Sequence, residues 1–172
     1  MNRRILLGLS TTALLCTVVV FSASQAPAQK SLKEQITGTW IAVSNDSTAP
    51  DGKKVQLFGP NPKGILIFDA SGQYSQIISH PDVPHFKINN RQQGTPAENT
   101  AAVRGTTATF GTWTIDEASK TITVRNVGGM FPNQAGTDTK RLIVSVTAAE
   151  LKLTNPLTAS GMRSDNVWRR AK

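Results

Sequence analysis

Short segments that combine β-branched and aromatic residues recur from residue 39 to residue 171, and turn-favouring residues separate one segment from the next. Residues 64–68 and 73–79 are the clearest pair, joined by Asp69-Ala70-Ser71-Gly72. Asp at the first position of a turn and Gly at the last are typical of a type I turn. Two such segments around a turn predict an antiparallel hairpin, and Tyr74 and Gln76 share one face of its second strand.

The same pattern continues along the chain and predicts an all-β fold. The segments number eight or nine and follow one another with local turns, as in an up-and-down barrel or a sandwich. A single antiparallel eight-stranded barrel is favoured because a closed sheet leaves no exposed edges. Besides the hairpin, the predicted strands are residues 39–44, 54–57, 106–115, 120–127, 138–146, 151–154 and 166–171, and the predicted loops include residues 45–52 and 128–129.

Two short helical segments interrupt the predicted strands. Ser31, followed three residues later by Glu34, forms a capping-box pattern that predicts one turn of helix before the first strand. Thr95 and Glu98 repeat that pattern within the long connection 80–104. Long connections of this kind often serve as lids. We therefore expect a short helix that covers one opening of the barrel.

The first 28 residues predict a secretory signal peptide that is cleaved. Arg3-Arg4 forms a positively charged start, residues 5–21 are apolar, and Ala26-Pro27-Ala28 offers the small residues of a cleavage site. The alternative is an uncleaved membrane anchor, for which the apolar run is just short of the about 20 residues that a spanning helix needs. We therefore expect a periplasmic or secreted protein, with residues 29–172 as one barrel domain and no membrane span after cleavage.

Charge and cysteine content narrow the possible partners. Cys16 lies within the predicted signal, so the mature domain would contain neither a thiol nor a disulfide. The net charge of +8 falls to +6 without Arg3-Arg4. The basic residues are scattered pairs without interleaved aromatic residues, a pattern that does not indicate nucleic-acid binding. A positive balance does suit an anionic partner, and we expect a monomer.

Candidate catalytic and metal-binding residues are few. His80 and His85 flank Asp82, but their spacing matches no established ligand signature, and a zinc site needs at least a third protein ligand. The mature chain has no cysteine nucleophile and no Gly-x-Ser-x-Gly motif. The sequence therefore predicts no catalytic residue, no metal and no cofactor.

A series of motifs in a fixed order resembles the bacterial lipocalin-like domain family over essentially all of the mature region. The resemblance implies an eight-stranded calycin-type barrel with a cavity for a small apolar or amphipathic molecule. Members of that family often carry a histidine in the strand that here contains Arg125 and Asn126, so histidine-based chemistry is not implied. The motifs are Ile36-Thr37-Gly38-Thr39-Trp40, Gly59-Pro60-Asn61-Pro62-Lys63-Gly64, Asp69-Ala70-Ser71-Gly72-Gln73-Tyr74-Ser75, Gly94-Thr95-Pro96-Ala97-Glu98, Phe110-Gly111-Thr112-Trp113, Phe131-Pro132-Asn133, Leu151-Lys152-Leu153-Thr154-Asn155-Pro156 and Val167-Trp168-Arg169-Arg170.

This resemblance favours an exported binding protein for a small hydrophobic or amphipathic ligand. An anionic molecule is one kind of ligand that fits this hypothesis. One alternative is a barrel enzyme of the isomerase or cyclase type, with Tyr74 or Arg125 as its polar helper. A third hypothesis is an envelope inhibitor or interaction barrel that works through its exterior loops. The candidate ligand-binding residues are Tyr74, Gln76, Phe110, Arg125 and Arg141.

Arg141 has two possible orientations. Its strand alternates Arg141 and Ile143 with Leu142 and Val144, and the second set is the more obvious core face. The favoured prediction therefore places Arg141 on the surface, since buried unpaired arginine is rare. The alternative places it in a polar cavity, where it binds a ligand carboxylate through two hydrogen bonds. Arg125 has the same two possibilities.

The start of the first strand and the last strand predict the closed end of a lipocalin-like barrel. Gly38 and Trp40 begin the first strand, and Trp168, Arg169 and Arg170 return beside it. An arginine is expected to lie over the indole of Trp40, for about 1 kcal/mol. Function is then expected at the opposite end, under the connection 80–104.

Overall fold

A computed structural model describes residues 30–172. The predicted signal peptide, residues 1–28, lies outside the described residues, so its cleavage and the export of the protein stay predictions. Among the residues that are described, no helix is both long and apolar enough to cross a membrane.

Nine strands and two short α-helices make up the described chain. The strands are β1 Gly38–Thr48, β2 Lys54–Val55, β3 Lys63–Phe68, β4 Gln73–Ser79, β5 Thr106–Asp116, β6 Thr121–Gly129, β7 Asp138–Val146, β8 Glu150–Asn155 and β9 Arg163–Arg170. The helices are α1 Leu32–Ile36 and α2 Pro96–Arg104, and single 3-10 turns cover Arg91–Gln93 and Pro132–Gln134.

The sheet closes on itself into an antiparallel barrel of eight strands. From β3 onward each strand pairs with the next in sequence, and β1 pairs with both β3 and β9. The closing register runs from Trp40 opposite Arg170 to Thr48 opposite Arg163. Strand β2 is extra, and it pairs with the last two residues of β1. The eight-stranded up-and-down barrel predicted from the sequence is confirmed.

The predicted loop at residues 45–52 is partly wrong, because β1 continues to Thr48. Asn45 to Thr48 pair with the first residues of β9, from Asn166 back to Arg163. Their polar composition favours a loop, but backbone pairing across the closing seam satisfies their N–H and C=O groups. The turn predicted at residues 128–129 is also wrong, because these residues extend β6 beside β5.

Both predicted capping boxes are present. In α1 the Ser31 hydroxyl accepts from the Glu34 N–H, and the Glu34 carboxylate accepts from the Ser31 N–H at 2.8 Å. In α2 the Thr95 hydroxyl and the Glu98 carboxylate make the same reciprocal bonds. Both helices therefore begin at the positions that the capping-box residues of the sequence predict.

An aromatic and aliphatic core fills one end of the barrel, and α1 closes that end. Trp40 is fully buried, and its indole nitrogen donates to the Ile36 carbonyl at 2.8 Å. The core at this end consists of Ile36, Trp40, Leu66, Phe68, Tyr74, Trp113, Ile122, Val124, Leu151 and Trp168. We call this the closed end of the barrel, and the opposite end the open end.

Arg170 ties α1 to the barrel, as the sequence predicts for one of the C-terminal arginines. Its guanidinium carbon lies 4.0 Å from the ring centroid of Trp40, and Nη1 donates to the Thr37 carbonyl at 3.1 Å. Arg169 lies at the same end of the barrel, opposite Ile41 of β1. Its side chain is exposed and faces outward, since it alternates with inward-facing neighbours on β9.

Candidate functional site

A cavity of about 220 Å³ lies in the open end of the barrel. Ligand pockets in proteins typically measure about 300–1,000 Å³, so this one suits a small molecule or one part of a larger one. Its wall is formed by the inward-facing residues of β1, β4, β5, β7, β8 and β9 and by three loops. The lining residues are Asn45, Ser47, Leu57, Phe58, Gln76, Ile78, Thr107, Thr109, Phe131, Gln134, Arg141, Asn155, Thr158, Ala159, Ser160, Ser164 and Asn166.

The cavity wall is polar where the closed end is apolar. Six of its uncharged polar residues are buried: Asn45, Ser47, Gln76, Thr109, Ser164 and Asn166. Buried polar side chains cost free energy unless they form hydrogen bonds. The partners of these groups therefore indicate what the cavity is built to hold.

Arg141, on β7, projects into the barrel and is only 7% exposed. Its Nη2 donates to the Tyr74 hydroxyl at 2.6 Å, and its Nη1 donates to the Gln76 side-chain oxygen. The Tyr74 hydroxyl in turn donates to the same Gln76 oxygen at 3.2 Å. The guanidinium carbon lies 5.2 Å from the Tyr74 ring centroid, within the range of a cation–π contact. Tyr74 and Gln76, at consecutive inward-facing positions of β4, therefore hold the guanidinium in place.

The favoured surface placement of Arg141 is wrong. On β7 the buried residues are Arg141 and Ile143, whereas Leu142 and Val144 are exposed. The apolar pattern of this strand is misleading because both faces carry aliphatic residues. Its orientation is fixed by its register with β6, where Arg141 lies opposite the fully buried Ile122.

The buried guanidinium has incomplete partners. Among the described residues its acceptors are neutral, and none of the ion pairs there includes Arg141. Its Nε is buried and has no hydrogen-bond partner in this part of the chain. A charged donor therefore lies in the cavity wall without a counter-ion from the described protein.

A second polar cluster joins β1 to β9 across the closing seam. The Asn45 side-chain nitrogen donates to the Asn166 side-chain oxygen, and also to the Ser164 hydroxyl at 3.2 Å. The Asn166 nitrogen donates to the Ser164 hydroxyl at 3.2 Å. The Asn45 side-chain oxygen is buried and without a donor from the described residues. Two residues that line the cavity therefore each keep one buried polar atom without a described partner, an acceptor on Asn45 and a donor on Arg141.

Apolar residues lie at the mouth of the cavity. Leu57 and Phe131 line it from two loops and are both partly exposed to solvent, while Phe58 beside them is buried. We call these three residues the rim. The loops at this end also contribute polar residues, Gln134, Thr158 and Ser160. Along the barrel axis the interior thus changes from an aromatic core, through a polar chamber, to a mixed opening with an apolar rim.

Two predicted ligand-binding residues lie outside the barrel. Phe110 is 53% exposed because its neighbours on β5, Thr109 and Gly111, face inward. Arg125 alternates in the same way with Val124 and Asn126 of β6. The Arg125 guanidinium makes an exposed ion pair with Asp138 at 3.3 Å. Neither Phe110 nor Arg125 lines the cavity, so their assignment to an interior site is wrong.

The helix predicted within the connection 80–104 is confirmed as α2, but it does not line the cavity. None of the described lining residues comes from that connection. Helix α2 has no buried residue and is held by the loop before it, where the Glu98 carboxylate accepts from the Lys87 N–H at 2.8 Å. His80 accepts from the Asp82 N–H at 3.0 Å, a local loop contact.

Sequence reasoning misses the seam cluster of Asn45, Ser164 and Asn166. It assigns Asn45 to a loop and begins the last strand at Asn166. A period-2 pattern of buried polar residues is present in both segments, but polar residues at alternate positions are also typical of a solvent-facing surface. Only the pairing of β1 with β9 shows that this face points inward.

The side chains of the cavity wall are amides, hydroxyls, one guanidinium and apolar groups. General acid–base catalysis relies on groups that exchange a proton near neutral pH. The Tyr74 hydroxyl, one candidate for such a role, lies buried between Gln76 and Arg141. The wall formed by the described residues is therefore suited to hydrogen bonding and to charge recognition.

Comparisons with known proteins show what this chain is similar to. A model of the lipocalin-like domain family matches residues 37–171. A lipocalin-like protein from Bacteroides uniformis is 13% identical, with a TM-score of 0.44 over 80% of this chain and 99% of that chain. Bovine odorant binding protein, solved with a selenium-containing odorant, is 18% identical, with a TM-score of 0.40 over 87% of this chain and 78% of that chain. No curated protein gives a significant match.

Proposed function

The chain belongs to the family of lipocalin-like domains, and from that premise we propose that it is a binding protein for a small amphipathic molecule held in the open end of the barrel. The observation that carries the proposal is the cavity wall with two buried, unused hydrogen-bonding atoms, Arg141 Nε and Asn45 Oδ1. A buried polar group without a partner costs about 1–3 kcal/mol, so a ligand that satisfies these groups recovers that free energy on binding.

The test compares a blocked cavity with a matched surface change. Thr109 on β5 lines the cavity, whereas Thr112 on the same strand is exposed. Octanoate, methyl octanoate and octan-1-ol are titrated into each folded protein by calorimetry. We expect at least one of them to bind the parent protein and Thr112→Phe, and binding to be lost in Thr109→Phe because the larger side chain occupies the cavity.

Native mass spectrometry of the protein purified from its host supplies a second measurement. A ligand of constant mass that is released by Thr109→Phe supports the proposal. A consistently empty barrel that also ignores all three titrated compounds contradicts it.

We also propose that the protein works outside the cytoplasm, after removal of residues 1–28. The support is the order of a basic start, an apolar run and small residues in that segment. N-terminal sequencing of the protein from a periplasmic or culture fraction should begin near Gln29. Full-length protein retained in the membrane fraction contradicts this proposal.

A further inference from the structure

We infer that the ligand is an amphipathic anion that enters head first, with its negative group at Arg141 and its apolar part at the rim. This inference rests on the proposed function, because it names the chemical class and the orientation of the molecule held in the same cavity.

The positive charge of Arg141 favours a negative ligand group. An isolated buried charge is costly, and buried charges in proteins are usually paired. Here the described residues supply a phenol and an amide oxygen, which hold the guanidinium but leave its positive charge without a counter-ion. A negative ligand group supplies that counter-ion, and charged hydrogen bonds are about twice as strong as neutral ones.

The Arg141 guanidinium has N–H donors beyond those that bind β4. A guanidinium has five N–H groups, and Nη1 and Nη2 each use one of theirs on β4. The Nε–H is buried with no described partner. A carboxylate or a similar oxyanion, with two acceptor oxygens, fits the remaining donors of such a planar group.

Asn45 adds a second requirement on the ligand. This residue lines the same small cavity and is only 6% exposed, and its side-chain oxygen has no donor among the described residues. This oxygen can only accept, so it favours a ligand with a donor, such as a hydroxyl group, near the negative head. A hydroxy acid therefore satisfies both unused atoms, whereas a simple acid satisfies one.

The arrangement of polar and apolar side chains favours one orientation of the ligand. The wall is polar around Arg141, and the large apolar side chains that the loops contribute to it, Leu57, Phe58 and Phe131, form the rim. Ile78, which is also apolar, lies inside on β4. Burial of a methylene group contributes about 0.8 kcal/mol, so an alkyl tail gains most by lying against the rim. The reverse orientation would bring the tail against the guanidinium and leave the charge uncompensated.

The selectivity test uses the parent protein and needs no variant. Calorimetry compares octanoate with octan-1-ol and methyl octanoate, and octanoate with 3-hydroxyoctanoate. We expect octanoate to bind about tenfold or more tightly than the alcohol and the ester, and the hydroxy acid to bind more tightly still. Equal binding of acid, alcohol and ester overturns the inference but leaves the proposed function standing. No binding of any compound, together with an empty barrel in native mass spectrometry, overturns both.

Variants then assign the preference to one side chain. Arg141→Met should lose the preference for octanoate over octan-1-ol, and Arg141→Lys should retain only part of it because the planar donors are lost. Arg125→Met removes the same charge from the outside of the barrel and should behave as the parent. A preference that persists in folded Arg141→Met, or that disappears in Arg125→Met, contradicts the assignment.

Tryptophan fluorescence tests the orientation. All three tryptophans, Trp40, Trp113 and Trp168, lie in the core of the closed end. Bromine quenches nearby indoles, so 2-bromooctanoate should quench more strongly than 8-bromooctanoate when both are bound to saturation. Stronger quenching by the tail-labelled acid would show that the tail enters first, and would overturn the head-first orientation.

Discussion

Trp40 is the residue on which the closed end depends most directly. It is fully buried, it donates to the Ile36 carbonyl, and it lies under the Arg170 guanidinium. We expect Trp40→Ala to lower the free energy of unfolding by about 3–5 kcal/mol, because the substitution leaves a large cavity in the core. Chemical denaturation measures the free energy of unfolding of both Trp40→Ala and Phe110→Ala. Phe110→Ala is the control, because it truncates an exposed ring.

Trp40 does not line the ligand cavity, so any Trp40→Ala protein that remains folded should bind as the parent does. Unchanged unfolding with lost ligand binding would contradict the structural role of Trp40.

For single residues, the local sequence pattern predicts the inward or outward direction of some side chains and not of others. Tyr74 and Gln76 share one face, as the hairpin around residues 69–72 predicts, and that face points inward. Of these two predicted ligand-binding residues only Gln76 lines the cavity, while Tyr74 lies behind it against Arg141. Arg141 and Phe110 are misplaced because their strands offer side chains of similar polarity on both faces. The choice between the faces depends on register with distant strands, which no local pattern contains.

At the scale of elements, the two capping boxes make a contribution to the free energy of unfolding that is lost at acid pH. The Ser31 backbone N–H, followed by the Ser31 hydroxyl, holds the pKa of Glu34 below its usual 4.5. The Lys87 N–H, followed by the Thr95 N–H and hydroxyl, lowers the pKa of Glu98 in the same way. Because both pKa values are lower in the folded state, their contribution is complete above about pH 4.5 and is lost as the pH falls through the folded values.

We therefore expect Glu34→Gln and Glu98→Gln to be less stable than the parent at pH 7, with the difference shrinking toward pH 3. Urea denaturation at the two pH values measures both effects. A difference that is as large at pH 3 as at pH 7 would mean that the carboxylate charge is not what stabilises the caps.

Elements with a local signal are predicted well. Both helices and most strands lie within a few residues of the expected positions, because capping side chains and turn residues act over three or four positions. The errors lie where the structure of a segment depends on a strand or loop that is distant in the sequence. Residues 45–48 become strand through β9, and the mouth of the cavity is formed by the loops around Leu57 and Phe131 rather than by the connection 80–104.

At the scale of the whole molecule, apolar burial in the closed end and charge burial in the open end have opposite effects on stability. Replacing a buried charged cluster with apolar residues of similar volume often stabilises a protein by about 1–4 kcal/mol. We expect the combined change Tyr74→Phe, Gln76→Leu and Arg141→Met to raise the free energy of unfolding by that order, because no member of the cluster is left without a partner.

Denaturation of this triple variant should be compared with that of Arg141→Met alone, which removes the donor to the Tyr74 hydroxyl and one of the two donors to the Gln76 oxygen. A triple variant less stable than the parent would show that the cluster holds the barrel together and is not maintained for a ligand.

The uncompensated guanidinium also bears on how the protein can evolve. If the triple variant is more stable, a laboratory selection for heat resistance alone should replace Arg141 and its neighbours early. The large apolar side chains of the barrel already contribute to the core, so the buried polar cluster is the place where further stability can be gained. Adding a ligand to that selection should reverse the outcome, since a molecule that binds only the folded state stabilises it, and more so as its concentration rises above its dissociation constant. Retention of Arg141 when a mixture of compounds is present would therefore show that the mixture contains a ligand, even before the active component is purified.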